Sequence, residues 1–256
     1  MTTSLDGIQQ IVLYDVSWRF YEQLVEELNE RHFQVTFDEG AMEIIGPAYE
    51  PMAPQHFVLD DTSWDFYTHV LEEFGNRPMG ITFDEGRLEM MAPLAEHEAA
   101  KEAIGVLIDV LAADRKMKIA RFGSTTFRRT DLQKGLEPDK CYYFGPNVRG
   151  VRGMKEFDPA VHPAPDLAIE IDITQRSVRR QPIYALLGVP EPWRFDRSRL
   201  TVLLLSKDRK YKSATKSRAF PFLPMRVFEA FVRRMIDEDQ MTVQLEFEAW
   251  VKTLPR

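Results

Sequence analysis

Residues 17–47, SWRFYEQLVEELNERHFQVTFDEGAMEIIGP, align without a gap on residues 63–93, SWDFYTHVLEEFGNRPMGITFDEGRLEMMAP. Fourteen of the 31 positions are identical, among them Ser-Trp-x-Phe-Tyr and Thr-Phe-Asp-Glu-Gly. The match reaches upstream, where Val12, Leu13 and Asp15 correspond to Val58, Leu59 and Asp61. A match of this density predicts one local fold for both stretches, a supersecondary unit written twice. Two copies are too few for a solenoid, which needs about three or more to bury a continuous core.

Each copy reads the same way. Ser17 or Ser63 is positioned to cap a helix. The helix carries Trp18, Tyr21, Leu24, Val25 and Leu28, or Trp64, Tyr67, Val70, Leu71 and Phe74, at the spacing of one apolar face. That Trp–Tyr stripe suits either a stacking platform or a core, and the helical spacing favours the core. A hairpin follows, Gln34–Phe37 with Met42–Ile45 and Gly80–Phe83 with Leu88–Met91. Asp-Glu-Gly between the strands predicts a three-residue loop, with Gly supplying the positive φ. Pro51 and Pro54 mark residues 49–55 as a linker between the copies.

Residues 94–115 predict a longer helix, with Ile104, Leu107, Ile108 and Leu111 on its apolar face. His97 falls on that face beside Glu96 and Glu98, as a satisfied core histidine or as a member of a site. Carboxylates in a first turn also suit the helix dipole without any chemistry. Lys118–Phe122 and Thr125–Arg128 read as strands, and residues 147–163 as an irregular insertion. Lys116, Lys118, Arg121, Arg128 and Arg129 form a local basic cluster, either a path for a phosphate backbone or a solvated strand face. Ser177–Leu187 predicts a helix carrying Arg179 and Arg180, stopped by Gly188. A small meander through Leu200–Leu205 and Tyr211 follows, and helices at Val227–Ile236 and Met241–Val251 close the chain.

The chemistry concentrates in residues 164–173, Ala-Pro-Asp-Leu-Ala-Ile-Glu-Ile-Asp-Ile. Strand alternation puts Leu167, Ile169, Ile171 and Ile173 on one side, and Glu170 and Asp172 together on the other. Carboxylates within a buried strand are costly unless compensated, and a divalent metal is the simplest compensation. Pro138-Asp139, ahead of the apolar run Cys141–Phe144, offers a third carboxylate at a strand start.

Charge and composition exclude some classes. The net charge of −7 argues against a chain-wide basic footprint for nucleic acid, though not against a local groove. No apolar run approaches the length of a membrane span. The opening MTTSLDGIQQ lacks a secretory pattern, and a single cysteine excludes an internal disulfide. Together these predict a protein of the reducing cytoplasm.

Helix, meander, a strand with Asp and a strand with Glu followed by a helix resemble the layout of the PD-(D/E)xK nuclease superfamily. Residues 165–174 and 182–196 are similar to the Uma-type restriction endonuclease family within it. So are 83–93, Glu96-His-Glu98, 123–127, 135–139, 220–224 and 247–251. The likeness covers roughly residues 57–256, so the chain divides into a first helix–hairpin copy (1–56) and a nuclease-like domain (57–256). The resemblance implies an α+β fold with a mixed central sheet flanked by helices. It also implies Mg²⁺- or Mn²⁺-dependent hydrolysis of DNA phosphodiester bonds. Asp139, Glu170 and Asp172 would hold the metal, and Arg180, His97 and Glu98 would complete the catalytic site. Arg121, Arg128, Arg129 and Arg179 would follow the DNA. Two departures mark this chain. Asp172 stands where an ExK motif has Lys, and Arg180 stands where many relatives carry Lys on the following helix. Arginine stays protonated, so it stabilises charge but is a poor base. The rival reading is a nuclease-derived binding or assembly protein without catalysis, and either reading admits a homodimer.

Overall fold

Ser17 and Ser63 each accept a hydrogen bond from the backbone three residues on, Phe20 N at 3.1 Å and Phe66 N at 3.0 Å. They start helices α1 (Trp18–Leu28) and α2 (Trp64–Phe74). These belong to a computed structural model, which describes residues 8–28, 31–39, 41–47, 56–74, 77, 79–91, 94–123, 125–172, 179–197 and 199–255. Predicted features at 48–55 and 173–178 lie outside those residues. By contacts the chain forms two compact units. One takes the described residues of Met1–Pro93 and Arg128–Glu137. The other takes those of Leu94–Phe127, Pro138–Ile173 and Arg179–Arg256.

In the first unit the same order occurs twice. Strand β1 (Ile8–Leu13) precedes α1, then β2 (Gln34–Asp38) and β3 (Ala41–Pro47). Strand β4 (His56–Leu59) precedes α2, then β5 (Gly80–Asp84) and β6 (Arg87–Met91). The first three strands form a sheet in the order β1-β3-β2. The second sheet runs β4-β6-β5 and continues through β9 (Lys134–Leu136) to β8 (Phe127–Arg129).

Four of the residues identical between the copies join them: the serine, the phenylalanine, a glutamate and the arginine. Glu73 accepts from Ser17 N and Oγ at 2.7 and 2.8 Å, while Glu27 accepts from Ser63 N and Oγ at 2.6 and 2.7 Å. Arg31 donates to the carbonyls of Asp60 and Asp61, and Arg77 to those of Tyr14 and Asp15. Each helix start is thus held by the other helix, the exchange of contacts that a two-fold axis produces. Phe20 stacks on Phe66 at 5.7 Å, and one apolar cluster runs through both copies.

Three sequence expectations need correction. The hairpin of β5 and β6 has a two-residue loop, because Asp84 pairs with Arg87. Glu85 and Gly86 both take positive φ, 48° and 94°, as a tight hairpin matching strand twist requires. The buried stripe of α1 is Phe20, Leu24 and Leu28, whereas Trp18 is 58% exposed and Val25 is also exposed. Residues 147–163 are not wholly irregular, since they hold the one-turn helix α4 (Asn147–Gly150).

The second unit is built on a six-stranded mixed sheet. Its strands are β7 (Ile119–Phe122), β10 (Lys140–Phe144), β11 (Leu167–Ile171), β12 (Pro192–Phe195), β13 (Leu200–Leu205) and β14 (Tyr211–Ala214). Their order is β14-β13-β12-β11-β10-β7, antiparallel except for the β11–β12 pair. A parallel pair needs a crossover, and the helix α5 (Arg180–Leu187) lies within that connection. Gly188 ends it in the left-handed conformation at φ 81°. Helices α3 (Ala95–Asp114), α6 (Met225–Asp237) and α7 (Gln240–Val251) pack together, and their apolar faces share one core with β11, β12 and β13. All five residues of β11 are buried, as expected of an interior strand covered on both faces.

Candidate active site

Asp139 comes immediately before β10, and Glu170 lies within β11. The antiparallel register pairs Lys140 with Ile169. The pairing ends there, with Asp139 the residue before it on one strand and Glu170 the residue after it on the other. Asp139 Oδ2 also accepts a hydrogen bond from Ile171 N at 2.6 Å, which ties the carboxylate to the end of β11.

His97 enters from the first turn of α3. The residue is 6% exposed, and Nε2 lies 3.2 Å from Asp139 Oδ1 but makes no hydrogen bond there. Nδ1 is 3.3 Å from Glu98 Oε1, and Glu98 is in turn bound by Lys101 at 2.8 Å. The histidine expected on the core face is therefore buried beside a carboxylate rather than among apolar groups alone. Lys101, one turn beyond His97, was missed by the sequence reading. Its signal was the interval of four residues, which places both on one side of the helix.

Helix α5 addresses Glu170. Arg180, its first residue, bonds Glu170 Oε2, and Tyr184 one turn later donates its hydroxyl to Oε1. Glu170 and Arg180 are 6% and 7% exposed. A buried ion pair of this kind is costly to break from one side only. Burial, and then the charge of Glu170, push the Tyr184 phenol well above its ordinary range, so it remains a proton donor. Tyr184 had not been singled out, although the four-residue interval from Arg180 predicts that both share one face of α5.

The remaining expected residues lie in other surroundings. Asp172 continues the β11 ladder through its N–H to Phe195 O at 2.7 Å, and its carboxylate is 3.9 Å from Arg194. Arg121 donates to Asp109 at 2.8 Å, and Arg129 grips Asp131 through Nε and Nη2 at 2.8 and 2.6 Å. Arg128 and Arg179 are exposed.

A divalent cation can be weighed against these side chains. Among the described residues, no three His, Cys, Asp or Glu side chains gather as ligands. Mg²⁺ does not require three, since it keeps several waters and binds through one or two carboxylates. Oxygen donors on neighbouring strands, with a buried imidazole nitrogen lacking a hydrogen bond beside one of them, fit such an ion. The single thiol, Cys141, takes no part in this chemistry, because burial pushes its pKa up to about 12.

Residues 64–234, two thirds of the chain, match the family described as "Putative restriction endonuclease" (Uma2). The chain belongs to the Uma2 family. Every side chain just placed around Asp139 and Glu170 falls within the matched residues, whereas β1, α1, β2 and β3 precede them. The chain is also similar to a solved structure, a putative nuclease belonging to DUF820 from Anabaena variabilis ATCC 29413. The identity is 16% and the TM-score 0.40, over 65% of this chain and 97% of that one. No curated protein matches the sequence. Among the described residues of this Uma2 chain, no helix is long and apolar enough to cross a membrane.

Proposed function

We propose that this Uma2 protein is a metal-dependent nuclease that hydrolyses DNA phosphodiester bonds. The observation that carries the reading is the hydrogen bond that ties Asp139 to the residue after Glu170, with His97 beside Asp139 and with Arg180 and Tyr184 on Glu170, all inside the family match. Asp139 and Glu170 would hold Mg²⁺ or Mn²⁺, with Asp172 as an auxiliary carboxylate. The ion would supply an activated water and neutralise phosphate charge. Ile171 N orients Asp139, His97 stands beside that carboxylate, and Glu98 with Lys101 holds the ring from its other nitrogen. Tyr184 keeps its proton and fixes Glu170. Arg180 has five donors, enough to hold Glu170 and face a phosphate oxygen at once. As a permanent cation it stabilises developing charge instead of taking a proton. Arg121, Arg128, Arg129 and Arg179 contact the nucleic-acid backbone, Arg121 and Arg129 by exchanging a carboxylate for a phosphate. The site lies in the domain 57–256, preceded by the helix–hairpin copy 1–56, in a cytoplasmic protein.

Plasmid nicking tests this directly. Cleavage should appear with Mg²⁺ or Mn²⁺, vanish with chelator, and be lost in Asp139→Asn. That substitution keeps an oxygen for Ile171 N and should change stability by no more than about 1 kcal/mol. Arg180→Lys should keep or raise the rate, and Arg180→Ala should abolish it. A second reading has its own observation in the buried Arg180–Glu170 pair, which locks a carboxylate that the metal would share. Metal binding without turnover in the wild type and in Arg180→Lys would establish a nuclease-derived binding protein instead.

A further inference from the structure

The two helix–hairpin copies carry the same aromatic triad. Trp64, Tyr67 and Phe83 have ring centroids 4.9 Å apart for Trp64–Tyr67, 5.5 Å for Trp64–Phe83 and 5.0 Å for Tyr67–Phe83. The equivalent Trp18, Tyr21 and Phe37 give 4.9, 5.4 and 5.3 Å. The surroundings differ. Tyr67 and Phe83 are fully buried, whereas Tyr21 and Phe37 are half-buried and Trp18 is largely exposed.

Strand β9 makes the difference. It pairs antiparallel with β5, setting Leu136 opposite Thr82, Gly135 opposite Phe83 and Lys134 opposite Asp84. Lys134 binds Asp84 and lies 3.1 Å from Glu85. Gly135 passes over Tyr67, and a Cβ at that position would run into the Tyr67 hydroxyl. Each requirement has its counterpart on β2. Asp38 and Glu39 occupy the places of Asp84 and Glu85 and are exposed, and Tyr21 occupies the place of Tyr67. Among the described residues, β2 pairs with β3 alone and forms the edge of its sheet. A half-buried edge strand with an assembled aromatic floor is a template for strand addition.

We infer that the β2 edge binds an extended segment of another protein in which a basic residue, a glycine and an apolar residue follow in that order. The segment runs antiparallel to β2, its apolar residue opposite Thr36, its glycine opposite Phe37 and its cation opposite Asp38. The cation meets Asp38 and Glu39, the glycine clears Tyr21, and the backbone completes the open ladder. The chain's own Lys134-Gly135-Leu136 is already engaged by β5. A second copy joined β2 to β2, centred on Thr36, would put Val35 opposite Phe37, where the template demands glycine.

The probe is a fluorescent peptide with the sequence of residues 130–138, Thr-Asp-Leu-Gln-Lys-Gly-Leu-Glu-Pro, titrated into the full chain. Anisotropy should show saturable one-to-one binding, lost when the peptide glycine becomes valine. Asp38→Lys in the protein should weaken binding by about tenfold or more, through like-charge repulsion, with an unchanged melting temperature. Hydrogen exchange should slow on β2. Absence of saturable binding would overturn the proposal. So would protection appearing only on β5, meaning that the peptide replaces β9. Sedimentation showing a dimer that blocks the peptide and dissociates in Asp38→Lys would assign the edge to a second copy instead.

Discussion

The parallel pair β11–β12 carries a buried glutamate near each end, and the two are held by opposite means. Glu191, just before β12, is 1% exposed and accepts from Trp193 Nε1 at 2.7 Å, Arg218 N at 2.8 Å and Ala219 N at 3.0 Å. All three donors are neutral and belong to backbone or indole. They use the carboxylate to pin the loop before Phe220 onto the sheet. Glu170, near the carboxyl end of β11, is held by a guanidinium and a phenol on the helix that follows. A carboxylate bound only by neutral, fixed donors is structural. One bound by a cation and a titratable donor beside a second carboxylate has the means to exchange partners.

The contrast can be broken by mutation. The largest effect is expected at the structural end. Glu191→Ala strands three buried donors, and at about 1–3 kcal/mol for each unsatisfied group the loss should be about 4–6 kcal/mol after relaxation. Urea denaturation measures it, and nicking per folded molecule should be unchanged. At the other end, Glu170→Ala should cost about 3–5 kcal/mol by leaving Arg180 buried without its partner, and should also abolish nicking. The double variant Glu170→Ala/Arg180→Met should recover most of that stability but none of the activity. If the double variant is no more stable than the single, the pair is not an isolated charge couple and the contrast with Glu191 fails.

The smallest effect concerns Tyr184. Tyr184→Phe should cost about 1–2 kcal/mol at neutral pH by removing one donor from Glu170. It should also change the alkaline limb. Burial raises the folded-state pKa of Tyr184, so above about pH 10 the unfolded chain releases this proton first, and stability falls as pH rises. Tyr142, Tyr143 and Tyr211 are shifted upward for the same reason and add to the fall. Equilibrium unfolding between about pH 10 and 11.5 should therefore have a slope shallower by about one proton, near 1.4 kcal/mol per pH unit, in Tyr184→Phe. An unchanged slope would mean that the phenol reaches solvent.

Read alone, the sequence determines most of the local elements. The period of Ile104, Leu107, Ile108 and Leu111 appears as the buried face of α3, and Gly188 closes α5 where its freedom of φ predicts. Serine caps, alternation in β11 and the four-residue steps from His97 to Lys101 and from Arg180 to Tyr184 all depend on neighbours a few bonds away. Local stereochemistry therefore makes them legible. Tertiary structure alone decides which identical residues of the two copies serve each other. Glu27 and Ser63 are 36 residues apart, and nothing in either names the other. It also decides that Trp18 stands in solvent while Phe20 is buried. Their helical pattern admits both, and the choice belongs to whatever packs against α1. The same holds for Glu170 and Glu191. Each is an acidic residue in an apolar run, and only the donors brought in by later segments separate a loop anchor from a candidate ligand. Long-range packing sets those donors, and a pattern with a period of two or 3.6 carries no record of it.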